Sequence, residues 1–224
     1  MSDSPRPELF EPTPRTAVIA MLEGRRPEDV RAFLMTQYHE PLAAYISAVD
    51  RGRLGEPRDV IAGFFADRLD RKDWLEQWRT SGLRLRRWLV NGLHFYCHEE
   101  RRRRTRDRVD DLDDGNVPAS IDRVFERAYA VATVRRATEA AALVCAREGF
   151  SRHWACFLRH HVGGATHDQI AAEEGCTPGQ VANVIRTATR RFRSAVSELL
   201  LQDGADPAEL DREIGELLSR LGQG

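Results

Sequence analysis

The residues best placed to do chemistry lie between Thr166 and Arg193, in THDQIAAEEGCTPGQVANVIRTATRRFR. Gln180, Ala182, Asn183, Arg186, Thr187, Arg190 and Arg191 fall on one side of a helical projection, a polar and basic face without a carboxylate. Gln and Asn can pair with adenine in a major groove, and Arg with guanine or phosphate. The other side carries Val181, Val184 and Ile185, which meet Ile170, Ala171 and Cys176 at helix-packing spacing. Thr166 is the expected N-cap of a helix through Glu174, and Gly175 its left-handed stop. Thr177-Pro178 opens the next helix. The spacing predicts a helix-turn-helix, although an ordinary helical hairpin with a solvated face has the same pattern. Glu174 fits badly, because such a unit usually carries an apolar residue there.

Other chemistry finds little support. His153, Cys156 and His160 share one helical face, but a fourth ligand for structural zinc is not evident. Neither a Gly-rich phosphate loop, nor HExxH, nor GxSxG occurs, so no enzyme, small-molecule substrate, metal or cofactor is expected. The four cysteines are far apart and without CxxC spacing, the pattern of reduced thiols in a cytoplasmic protein. The N-terminal residues lack an apolar signal, and no stretch is long enough to span a bilayer.

The 224 residues hold 34 basic and 35 acidic side chains, so any affinity for nucleic acid must come from how charge is distributed. That distribution is uneven. Lys72 is the only lysine, and Arg84 to Arg108 carries nine arginines before running into Asp110, Asp111, Asp113 and Asp114.

Helical periodicity recurs along most of the chain. Residues 1–14 read as a flexible tail, and residues 15–108 as a helical domain. Within that domain Val18, Ile19 and Leu22 form a first stripe, Pro27 opens a long helix, and Arg58 to Leu69 forms another. Asp73 to Leu85 reads as a loop or broken helix, and Arg86 to Arg108 as a long helix whose second half is charged. Residues 109–120 read as an acidic linker, 121–203 as a second helical domain ending in the helix-turn-helix, and 204–224 as a last amphipathic helix capped by Asp206. The expected fold is all-α, with two helical domains.

This order of parts resembles the extracytoplasmic-function sigma factors of bacterial RNA polymerase, over about Arg15 to Gln202. DVIAGFFADRL at Asp59 to Leu69 looks like the family's region 2.2, LRRWLVNGLHFYCHEERRRR at Leu85 to Arg104 like regions 2.3 and 2.4, and HDQIAAEEGCTPGQVANVIRTATRRFRSAV at His167 to Val196 like region 4.2. The resemblance implies a subunit that binds core RNA polymerase and directs promoter recognition and opening, held in check by an anti-sigma or other inhibitory protein. Asp59, Phe64, Arg68 and Asp70 would dock on the polymerase, with Ala62 standing where many members carry Gln. Trp78, Arg84, Arg87, Trp88, Asn91, Arg101, Arg102, Arg103 and Arg104 would face the minus-ten element of promoter DNA. Thr177, Gln180, Asn183, Arg186, Arg190 and Arg191 would read the minus-thirty-five element. For Trp88 the alternative is a core position, for the Arg101 to Arg104 run a solvated helix end, and for Asp59 to Asp70 a solvated acidic face. Two other expectations stay open: a helix-turn-helix regulator that does not bind polymerase, or a sigma-like signalling protein sequestered by a partner.

Overall fold

The computed structural model describes residues 27–50, 52–71, 73–104 and 119–222. The expected tail, the Val18, Ile19 and Leu22 stripe, Arg106, Arg108 and residues 109–118 of the acidic stretch lie outside the described residues. Among those described, the fold is helical without strands. The elements are α1 (Pro27–Asp50), α2 (Pro57–Leu69), α3 (Trp74–Thr80), α4 (Leu85–Arg104), α5 (Ala119–Arg147), α6 (Ser151–His161), α7 (His167–Glu174), α8 (Pro178–Gln202) and α9 (Leu210–Leu221). A 3-10 turn at Pro207–Glu209 precedes α9, and Asp206 accepts a 2.9 Å bond from the Ala208 N–H there.

The periodic stripes bury as two apolar clusters. The first gathers Leu34, Tyr38, Leu42 and Tyr45 of α1, Ile61, Phe64 and Phe65 of α2, Trp74 and Trp78 of α3, and Leu85, Leu89 and Leu93 of α4. It also takes in Phe125 and Tyr129 of α5, Val196 and Leu200 of α8, and Ile214 and Leu217 of α9. The second cluster joins Ala141 and Cys145 of α5, Trp154, Cys156 and Phe157 of α6, Ile170 and Ala171 of α7, and Val181, Ile185 and Ala188 of α8. Apolar packing therefore runs across the acidic stretch instead of dividing there. The reason is length: α5 has 29 residues and α8 has 25, and at a rise of about 1.5 Å per residue each helix reaches through both clusters.

Stacked rings mark the seam between α1 and α5, with Tyr38 and Tyr129 centroids 6.2 Å apart. Polar contacts reinforce it, since Arg136 donates to the Gln37 carbonyl at 2.8 Å and Arg135 pairs with Glu40 at 2.7 Å. The segment expected as a loop or broken helix at Asp73 to Leu85 contains the short helix α3, because Trp74, Leu75 and Trp78 all bury on one side of it. No described helix is long and apolar enough to cross a membrane.

Candidate nucleic-acid interface

The two helices expected to form the helix-turn-helix are α7 and α8, and both begin with a reciprocal cap. Thr166 accepts from the Gln169 N–H while Gln169 Oε1 accepts from the Thr166 N–H at 2.8 Å. Thr177 and Gln180 repeat the arrangement at the start of α8, with Pro178 in its first turn. Each box satisfies two of the amide donors that a helix start leaves open. Between the boxes Gly175 takes φ 64° and ψ 35°, a left-handed conformation that costs glycine little, and the Cys176 N–H returns to the Ala171 carbonyl at 3.0 Å. The turn is thus set by local chemistry.

The outer face of α8 presents Asn183, Arg186 and Arg190, all exposed. Arg186 donates to Asn183 Oδ1 at 3.0 Å, which links two of the expected reading residues. Thr177 and Gln180 are exposed too, but Gln180 Oε1 is engaged in the cap. Arg191 turns away from the others and pairs with Glu148 at the end of α5 at 2.7 Å. Glu174, the residue that fits the helix-turn-helix pattern badly, has its own explanation. Its carboxylate receives Arg152 at 2.7 Å and Arg159 at 3.2 Å from α6, so an ion-pair cluster takes the place of apolar contact.

The residues expected to face the minus-ten element divide into several environments. Trp78 is only 2% exposed, and its indole N–H donates to the Leu83 carbonyl at 3.0 Å. Trp88 is half-buried with its ring 6.0 Å from that of Trp74. Arg84 pairs with Glu213 of α9, and Arg87 with Asp122 of α5. Arg101 pairs with the buried Asp50 at 2.8 Å, and Arg104 donates to the Leu54 carbonyl at 2.9 Å. Arg103 pairs with Glu100 at 2.7 Å, while Arg102 is exposed.

One residue outside the expected set stands out. Phe95 is 57% exposed, one turn beyond the half-buried Asn91 and two turns before Arg102 on the same stripe of α4. Helical spacing alone does not separate it from the apolar residues beside it, and only its neighbours in space leave it facing out. An aromatic ring beside amide and guanidinium groups is suited to stacking on unpaired bases.

Of the expected polymerase-docking residues, Asp59 and Asp70 are exposed at the two ends of α2. Phe64 is fully buried, its ring 5.7 Å from Trp74 and 5.9 Å from Tyr96. Arg68 is 5% exposed and pairs with Glu99 at 3.0 Å and Asp67 at 3.3 Å. Both therefore act inside the fold in this structure.

Beneath α4 the polar groups are tuned by burial. Tyr45 and His94 share a 2.8 Å hydrogen bond, and His98 meets the other ring nitrogen of His94 at 3.1 Å. Burial, with His98 and Arg101 nearby, holds His94 below its ordinary value. Burial likewise pushes the Cys97 thiol up to about 12. On α6, the His160 ring bonds the Ala165 carbonyl at 2.8 Å and Cys156 is buried.

Comparison with protein-family models, with curated proteins and with solved structures finds no match to this chain.

Proposed function

We propose that the chain is a DNA-binding subunit of transcription initiation, similar to the extracytoplasmic-function sigma factors, which binds core RNA polymerase and directs promoter recognition and opening. The observation that carries this reading is the doubly capped helix-turn-helix with Asn183, Arg186 and Arg190 exposed on one face of α8. A helix held in this way can enter a major groove with its side chains already aligned. On α4, Asn91, Phe95 and Arg102 offer a stripe for an unpaired strand, and Asp59 and Asp70 offer acidic contacts for the polymerase.

A second reading has an observation of its own. Phe64 and Arg68 are buried and Arg84 and Arg87 are paired internally, whereas the α8 face is open. That contrast favours a regulator that binds duplex DNA without engaging polymerase. Co-purification of the full chain with core RNA polymerase, followed by promoter-dependent run-off transcription, separates the two. Association with specific initiation is expected. A folded chain that selects a duplex sequence but neither binds polymerase nor supports initiation would establish the second reading.

A further inference from the structure

Arg84, just before α4, and Arg86, in its first turn, are answered by carboxylates from the far end of the chain. Both terminal nitrogens of Arg84 reach both carboxylate oxygens of Glu213 on α9, and Glu213 is 5% exposed. Arg220 of α9 pairs with Glu126 of α5 at 2.7 Å, and Asp211 of α9 with Arg193 of α8 at 2.7 Å. The guanidinium fork that grips a carboxylate in this manner grips a phosphate equally well. Glu213 therefore stands where a phosphate of a bound strand would stand on Arg84.

We propose that α9 is an internal competitor for nucleic acid: Glu213 holds Arg84 in the closed chain, and displacement of α9 hands Arg84 to the backbone of a single strand. The proposal rests on the reading of α4 as a nucleic-acid-facing helix. The rest of the first cluster is fastened independently of α9. Asp203, which precedes the turn into α9, keeps Arg86 at 2.5 Å and Tyr38 at 2.6 Å, so the seam between α1, α4 and α8 has its own fastening. Detaching α9 breaks its ion pairs and uncovers Ile214 and Leu217, while the members of the first cluster on α1, α2, α3 and α4 still pack among themselves.

The test measures binding of the full-length chain to oligothymidylate by fluorescence anisotropy over a range of salt. Glu213→Gln keeps the shape and removes the charge that holds Arg84. Its affinity is expected to rise about fivefold near 0.1 M salt, with a salt slope steeper by about 0.7, the contribution of one added phosphate contact on a single strand. The double variant Glu213→Gln with Arg84→Gln should return to the affinity of the unaltered chain. A folded Glu213→Gln variant with unchanged affinity and slope, or a double variant that stays as tight as the single one, overturns the proposal and leaves the functional reading standing. If neither the unaltered chain nor the variant binds the strand, both fall. Hydrogen exchange of the unaltered chain covers the case of a variant that does not fold: bound oligothymidylate should speed exchange across residues 211–221, and unchanged or slower exchange there overturns the proposal.

Discussion

The phenol of Tyr38 donates a 2.6 Å hydrogen bond to Oδ1 of Asp203, across 165 residues of chain. Asp203 also accepts from the Arg86 backbone N–H at 3.2 Å and from its guanidinium at 2.5 Å. One buried carboxylate thus fastens α1, the start of α4 and the end of α8. Burial works against the charge of Arg86, but Asp203, Tyr129 and Glu126 outweigh it and hold the guanidinium above its ordinary value.

Replacing Asp203 by Ala should therefore destabilise the chain by about 3 to 5 kcal/mol, because it removes the nearer of the two carboxylates that answer a largely buried guanidinium and leaves only Glu126, at 3.3 Å. Asp203→Asn keeps an acceptor for Tyr38 and should cost less, about 1 to 3 kcal/mol. Urea unfolding of both variants checks the order; equal midpoints for Asp203→Ala and the unaltered chain would remove the fastening from the account.

Phe95→Ala should weaken binding to an oligothymidylate strand by about 1 to 3 kcal/mol, the range for loss of one base stack. Its stability should stay within about 0.5 kcal/mol, since more than half of the ring is already in water. Anisotropy titration beside a thermal melt reads both. A loss of stability without a loss of binding would assign Phe95 to packing.

Arg186→Ala should cost about 1 to 3 kcal/mol of duplex affinity and relax selectivity at one base position. Arg191→Ala, which removes the pair with Glu148, should leave selectivity unchanged. Binding of the two variants to a randomised duplex library, sequenced after selection, distinguishes base reading by one from packing by the other.

Stability should fall at alkaline pH. Burial raises the Tyr38, Tyr45 and Tyr129 phenols and the Cys97 thiol, the thiol from 9.0 to about 12. A group whose pKa is higher in the folded state supports folding fully below its unfolded value and loses that support as pH rises through the folded one. The urea midpoint is expected to hold steady towards about pH 9 and to decline above it. A midpoint that rises over that range would contradict the assigned burial of these groups.

The capped pair α7 and α8 and the turn between them were legible in the sequence because their signals are local. Thr166, Gly175, Thr177 and Pro178 act within a turn or two of their own positions, and the stripe of Ile170, Ala171, Val181 and Ile185 needs only helical spacing. The all-α class followed from the same periodicity, repeated in nearly every segment.

Tertiary structure alone decided which apolar residues of α4 face inwards and what each arginine meets. Leu93 is buried and Phe95 is exposed, though the two are close in sequence and both apolar, because α1 and α2 pack against only one side of the helix. Trp78 becomes core because α3 turns it inward onto the first cluster, and Arg84 meets Glu213 across 129 residues. Such a pair leaves no trace in local spacing. It exists because α5 and α8 are long enough to reach both clusters and bring the last helix back onto the first ones.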